Sequence, residues 1–377
     1  MKKTLYIGGF CMPDGNAAAQ RVLGVAKLMR LCDFDVRFCG LSRQIKTGPE
    51  NGAIDGFEYR NYPYPTSFGD WWRYLTGQDQ SIQEIKSYKP EIVILYNHPA
   101  LAIERIAKYC KKKGIKVIAD ITEWYEPSGN PFFRAIKGYD TKRRMTRSHL
   151  KLDGLICISS YLTQYYRNQG LKVLELPPLV DLQQSKWHQA TENPTDELRV
   201  IYAGSPGARK DRLDLILKAL DNIIPNANGK IRFEIVGITE EQYSRTWGDE
   251  KRRSYVTFHG RRPHPEVIKL LLSADFQIFL RPDTLPNRAG FPTKFVESVS
   301  SETLPITNLS SNLNQYLRDG QNGFILFSLE QNAIESTLEQ ALRLSKSQLE
   351  KMKRSIDVTK FDFHTYLSPF KEFANNL

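Results

Sequence analysis

The chain has 377 residues but only five cysteines, at positions 11, 32, 39, 110 and 157, with no C-x-x-C or paired spacing. That scarcity argues against a disulfide framework or a cysteine zinc site and fits reduced, mostly buried thiols of a cytosolic protein. No apolar run approaches the roughly 18 residues needed to cross a bilayer. The opening MKKTLYIGGFCMPDGN starts like a secretion signal, but glycines and Pro13-Asp14 interrupt its apolar stretch. It reads as a first strand and loop of the fold. Short-period repeats, low-complexity tracts and HxH or Cys/His ligand clusters are missing, and isolated acidic pairs such as Asp33 and Asp35 are too common to signal a metal site. Basic charge is plentiful: 53 Lys and Arg stand against 42 Asp and Glu, a formal +11. This permits nucleic acid, anionic lipid or phosphorylated substrates as partners and does not choose among them.

The length is too great for one core and implies two domains. The first half alternates strands and helices. Strand Leu5–Gly9 leads through a Gly/Pro/Asn-rich loop to a helix from Ala17 to about Leu31, with Val22, Val25, Ala26 and Met29 at helical spacing. Strands follow at 35–40, 59–62, 91–96 (EIVILY), 116–120 (KVIAD) and 154–159 (GLICIS), with helices at 81–88 and 100–113. After a connector, LELPPLVDL, the pattern repeats, with strands at 199–203, 232–236, 255–258, 276–280 and 304–307 and helices at 212–224, 266–273 and 293–301. Apolar strands separated by helices mark parallel sheets covered on both faces. Two doubly wound domains of this kind leave a cleft at the carboxyl ends of their strands, where ligands bind.

The stretch AGFPTKFVESVSSETLPITN, from Ala289 to Asn308, describes a device for a nucleotide diphosphate. Gly290 permits a tight loop, Pro292 starts a helix and Thr293 caps it. Exposed amides and aligned dipoles at such a start favour a phosphate. Lys294 in the first turn makes better sense beside a bound anion, and Glu297 is one turn on along the same side. An ordinary surface helix with a Lys–Glu pair explains the segment equally well.

Five motifs in order carry a family resemblance: IYAGSPGARKD, FEIVG, VTFHGRRPHPEVIKLLLSAD, the helix after Gly290, and the D-G-x-N-G-F turn from Asp319 to Phe324. Each alone is weak, but their order over some 120 residues is specific. The chain resembles a family-4 glycosyltransferase (glycosyl transferases group 1) of the GT-B type, with LPPLVD similar to that family's interdomain connector. The resemblance implies an α/β protein with two Rossmann-like domains facing a central cleft. Residues 1–180 are the acceptor side, 181–355 bind the nucleotide sugar, and 356–377 form a C-terminal helix packing back on the first domain. It implies transfer of a sugar from a nucleotide diphosphate donor to a glycan or lipid-linked acceptor, retaining and metal-independent, with no cofactor. The leaving phosphate oxygen would help remove the acceptor proton, so positioning and charge stabilisation matter more than a strong base. Residues with this role are Lys210, facing the departing diphosphate, Glu123 and His98. The donor contacts are Gly15, Asn16, Gly204, Ser205, Arg209, Lys210, Gly290, Phe291, Thr293, Lys294 and Glu297, with Glu297 on the ribose. His98 also fits a core histidine, Asn16 an N-cap, and Lys210 a solvated loop.

Three positions depart from the family pattern. Its first paired glutamate is Ala289 here, its N-domain histidine is Thr122, and a frequent arginine is Ser205. Arg288 is the nearest polar substitute at the sugar end and would suit a sugar bearing a carboxylate. Residues 131–152 hold seven Arg or Lys against one Asp, beside Phe132 and Phe133. Such a stretch suits an anionic inner-membrane surface or an ordinary solvated helix face. No nucleic-acid module is recognisable. Polysaccharide biosynthesis in the cytoplasm is the reading that results. Its rivals are a nucleotide-sugar epimerase or hydrolase, and a non-catalytic nucleotide-sugar-binding homologue.

Overall fold

The computed structural model describes residues 1–13, 16–127, 129–188, 197–206, 211–226 and 231–377. They form two compact units, Met1–Leu179 with Phe363–Leu377, and Val180–Asp362. The chain therefore returns to the first unit at Phe363, and Ile356–Asp362 stays with the second.

In the first unit the order is β1 (Lys2–Gly8), α1 (Ala17–Arg30), β2 (Phe34–Ser42), β3 (Glu50–Ile54), β4 (Phe57–Pro63), α2 (Phe68–Thr76) and α3 (Ser81–Tyr88). It continues with β5 (Ile92–Tyr96), α4 (Ala100–Lys111), β6 (Lys116–Ile121), α5 (Pro131–Arg143), β7 (Gly154–Cys157), α6 (Ser160–Arg167) and β8 (Val173–Glu175). The sheet runs β3-β4-β2-β1-β5-β6-β7-β8. All neighbours are parallel except the β3–β4 hairpin. Every residue of β5 is buried, as in a strand covered on both faces. The hairpin was not among the expected elements. Its signal is Asp55-Gly56, with φ of 48° and 78°, the geometry of a primed two-residue turn.

Helix α1 buries the expected Val22, Val25, Ala26 and Met29. Around them Tyr6, Phe10 and Phe38 pack with centroids 5.9 to 6.0 Å apart. Phe363, Phe370 and Phe373 belong to this same core, and the Phe370 ring meets Phe34 edge-on at 5.7 Å. The thiols of Cys39, Cys110 and Cys157 are buried, and burial pushes all three up, that of Cys110 to about 12.

The second unit contains β9 (Leu198–Ala203), α7 (Leu213–Ile223), β10 (Ile231–Val236), α8 (Glu240–Trp247), β11 (Val256–Gly260), α9 (His264–Leu272) and β12 (Phe276–Phe279). Then come α10 (Leu285–Ala289), α11 (Thr293–Ser300), β13 (Leu304–Thr307), β14 (Phe324–Ile325), α12 (Gln331–Leu342) and α13 (Lys346–Lys353). Leu213, Ile216, Leu217, Leu220 and Ile223 of α7 recur at helical spacing and are all buried. Each contributes about 1.5–3 kcal/mol relative to exposure. The sheet order is β11-β10-β9-β12-β13-β14, all parallel. Counted within the unit this is 3-2-1-4-5-6, the dinucleotide-binding order, in which ligands sit where the order reverses. That point lies between β9 and β12 here, and between β1 and β5 in the first unit. The last helix, α14 (Leu367–Asn375), belongs to the first unit.

Candidate nucleotide site

At the reversal of the second unit, β9 is followed by Gly204, whose φ of 148° disfavours other residues. A Cβ there would meet Lys294 Cε at 2.3 Å and Nζ at 2.5 Å. A Cβ at Gly237, beyond β10, would fall 1.9 Å from the Gly204 carbonyl oxygen. The two glycines thus let the backbone close on itself and leave room for one ammonium group.

That ammonium donates to Asp211 Oδ2 at 3.0 Å and lies over the Tyr202 ring at 5.2 Å. Tyr202 also donates to Asp211 Oδ2, at 2.8 Å. Burial opposes the charge on Asp211, but Lys294, the Tyr202 hydroxyl and Arg281 more than offset it, so its pKa falls below the ordinary value. Asp211 Oδ1 is buried with no hydrogen-bond partner among the described residues. Lys294 itself is on the first turn of α11, where Pro292 takes the cap position and no side chain caps the helix. Thr293 is the exposed first helical residue rather than the cap expected from sequence. A positive side chain and uncapped amides therefore converge beside Gly204, an arrangement suited to a phosphate.

One turn further on, Glu297 Oε1 lies 3.2 Å from His264 Nε2. His264 opens α9, just after the loop that follows β11. Gly290 is buried, and the Phe291 ring is buried among Phe295, Tyr316 and Phe361. Phe291 therefore offers a ligand no aromatic face. Ala289 is fully buried. Arg288 forks onto Asp283 at 2.6 and 2.8 Å on the exposed surface. Ser205 is exposed beside Gly204. Gly15, Arg209 and Lys210 lie outside the described residues. Asp211 and His264 were missed from sequence. Each adjoined a motif already noted, Asp211 after Lys210 and His264 in RRPHPE, and only folding shows which side chain each one meets.

In the first unit Asn16 caps α1, accepting from the Ala19 amide at 2.9 Å. His98 follows β5, is buried, and packs edge-on against Tyr74 at 5.4 Å. Burial lowers its pKa, and neither ring nitrogen has a hydrogen-bond partner among the described residues. Thr122, in the place of the family histidine, bonds to Asn97 at 2.6 Å and Tyr96 at 3.2 Å. Asp120 is consumed by Arg21 at 2.7 Å and Tyr6 at 2.5 Å, and Arg21 also reaches the carbonyls of Leu176 and Pro177. Glu123 is exposed past β6. In the basic stretch Arg143 forks onto Glu104 at 3.0 and 2.8 Å. Arg144 is buried over the Tyr125 ring at 5.1 Å. Only Arg147 of that arginine trio is exposed. Among the described residues no group of three or more His, Cys, Asp or Glu is placed to hold a metal ion. No described helix is long and apolar enough to cross a membrane.

Residues 183–357, which carry the whole Gly204–Lys294–Glu297 arrangement, match the family model described as glycosyl transferases group 1. They are a group 1 glycosyltransferase domain. No curated protein matches the chain in sequence. Solved structures resemble it over its full length. The catalytic domain of starch synthase IV from Arabidopsis thaliana, bound to ADP and acarbose, superposes with a TM-score of 0.70 at 11% identity, covering 100% of this chain and 99% of that one. HepE from Anabaena, in complex with UDP and glucose, gives 0.68 at 12% identity, with both chains fully covered. A trehalose-6-phosphate synthase studied for glycosyl transfer with retention gives 0.69 at 12% identity, with 99% of each chain covered. At these identities the likeness is one of fold, the GT-B type with two Rossmann-like parts. Within residues 183–357, Gly204 and Lys294 meet at the sheet reversal, Glu297 pairs with His264 one turn further along α11, and Arg288 and Phe291 are engaged elsewhere.

Proposed function

We propose that the protein is a glycosyltransferase that moves a hexosyl group from a nucleotide diphosphate sugar to a glycan acceptor, with retention at the anomeric carbon. The observation that carries this is the Lys294 ammonium, held by Asp211 at 3.0 Å beside the uncapped start of α11. A diphosphate there meets amide dipoles and a cation together. In the reaction the bond from the anomeric carbon to the phosphate oxygen breaks as the acceptor oxygen bonds to that carbon. The acceptor proton passes to the leaving phosphate oxygen. Charge grows on the diphosphate, and Lys294 with Lys210 stabilises it. Glu297 accepts from the ribose hydroxyls. The ADP and acarbose bound to starch synthase IV, the UDP and glucose bound to HepE, and the retention studied in trehalose-6-phosphate synthase support the donor class and stereochemistry. A lipid-linked acceptor met at a cytoplasmic membrane surface completes the reading.

The test is a melting-temperature panel of UDP, ADP, GDP and their sugars, followed by turnover with and without acceptor. A nucleotide at about 100 times its Kd stabilises by about 2.7 kcal/mol. Lys210→Ala should lower turnover more than monophosphate binding, since its charge matters most as the diphosphate departs. No shift with any nucleoside diphosphate would sink the proposal, and donor turnover that ignores the acceptor would favour a hydrolase or epimerase.

A further inference from the structure

Helices α2 and α5 of the first unit carry an unusual share of exposed apolar surface. Among the described residues thirteen large apolar side chains are exposed, and six of these lie on the 22 residues of the two helices. Phe68 is 82% and Trp72 57% exposed on α2, and Phe133 is 55% and Tyr139 59% exposed on α5. Isolated exposed hydrophobics are common, but a concentration of this kind marks an interaction surface.

Both helices are anchored on α4. The Asp140 carboxylate of α5 accepts from the Ala100 amide at 2.8 Å, at the start of α4. The end of α2 turns at Gly77, with φ of 65°, where a Cβ would come 2.9 Å from Ala102 Cα. Leu101, between these two anchor residues, is itself exposed. Helix α2 is also fixed locally, by a reciprocal capping box between Ser67 and Asp70. Tyr74 packs edge-on against buried His98 and Trp71 against Tyr74, which leaves Phe68 and Trp72 as the most exposed rings of the helix.

On α2 the one acid, Asp70, is paired with Arg73 at 2.5 Å, and the exposed charge on α5 and the turn after it is basic. Arg134, Lys137, Lys142 and Arg147 are exposed, whereas Asp140 and Glu104 are committed to Ala100 and Arg143. Tryptophan and tyrosine settle at the level of lipid headgroups, apolar body inward and polar tip in water. Cations beside them add attraction to anionic headgroups. We infer that α2 and α5 form a docking face for an anionic lipid bilayer, with Phe68 and Trp72 entering the interface and the exposed cations of α5 and the following turn meeting headgroup phosphates. The inference deepens the membrane-side part of the proposed function and rests on that reading, while its observations come from the first unit alone.

The test uses the full chain with vesicles of phosphatidylcholine alone or mixed with phosphatidylglycerol. The wild type should sediment with the anionic vesicles only, and less as salt shortens the Debye length from about 30 Å at 0.01 M to about 8 Å at 0.15 M. Arg134→Ser/Lys137→Ser/Arg147→Ser should weaken partitioning about fivefold per charge, on the order of a hundredfold together. Phe68→Ser/Trp72→Ser should remove the lipid-induced blue shift of tryptophan emission as well as binding. Nucleotide-induced stabilisation reads the second unit only, so it should persist in both variants, and its absence from the wild type bears on the transfer reaction instead. Equal sedimentation with neutral and anionic vesicles would overturn the inference. So would a dimer, seen without lipid, that Phe68→Ser/Trp72→Ser converts to a monomer, since that assigns the face to a second copy of the chain.

Discussion

Each unit reverses its strand order once, between β1 and β5 in the first and between β9 and β12 in the second, yet the polar residues near the two points are engaged differently. Beside the first reversal Asp120 is closed off by Arg21 and Tyr6, and His98 is buried without a hydrogen-bond partner among the described residues. At the second, Lys294 is held by Asp211 at the start of an uncapped helix. Both contain a buried cation–carboxylate pair. In the first the guanidinium ties strand to connector, and in the second the ammonium is held where helix amides converge. Topology sets where a ligand can bind. Which side chain the pair leaves beside open amides decides what kind.

The largest effects come from breaking the two pairs. Arg21→Met and Lys294→Met each strand a buried carboxylate, so each should cost about 3–5 kcal/mol in chemical denaturation. Only Lys294→Met should also weaken UDP or ADP binding, by at least tenfold in calorimetric titration. Equal nucleotide losses in both variants would erase the contrast.

A smaller effect is expected at Glu297. Glu297→Ala removes hydrogen bonds to a charged acceptor, worth about 1.5–3 kcal/mol, so the Kd for a nucleoside diphosphate should rise roughly tenfold or more. His98→Phe should leave it unchanged.

Acid should sharpen the comparison further. Burial depresses the pKa of His98 and His149, so the folded first unit takes up their protons less readily than the unfolded chain. Their contribution is complete above the unfolded value of about 6.5 and is lost as pH falls below it. Asp211 is also depressed, but from the carboxylate range. Its contribution persists until pH falls below about 3.9, the unfolded value. Hydrogen exchange followed peptide by peptide should show the first unit weakening nearer neutrality than the second, and His98→Phe should reduce that early loss.

The smallest effect is expected at Arg288. Its fork to Asp283 is exposed, and such pairs contribute about 0–1 kcal/mol. Arg288→Ala should leave both stability and the preference between uronic-acid and neutral-hexose donors nearly unchanged. A lost preference would restore Arg288 to the sugar site.

The sequence made the alternation of apolar strands and helices readable, because parallel strands buried on both faces are apolar throughout, as in IVILY of β5. It also exposed the start of α11, since Gly290, Pro292 and Lys294 are local signals. The cap was misassigned because Pro292 and Thr293 are both favoured near a helix start, and only backbone geometry separates them. The partners of Lys294 and Glu297 were out of reach. Asp211 is 83 residues from Lys294 and His264 is 33 from Glu297, and no periodicity links positions so far apart. The basic stretch misled for the same reason: its formal charge did not reveal that Glu104 occupies Arg143 or that Arg144 is buried.

The return of Phe363–Leu377 to the first unit has a consequence for synthesis. The second unit is one continuous segment, whereas the core of the first includes Phe363, Phe370 and Phe373. A ribosome adding about 5–20 residues per second needs roughly 10–40 s to make the intervening Val180–Asp362. Through that interval the nascent first unit lacks the rings that cover Phe34 and α1. The segment made second is thus the first able to finish folding, and the segment made first stays a client for chaperones until the last helix emerges.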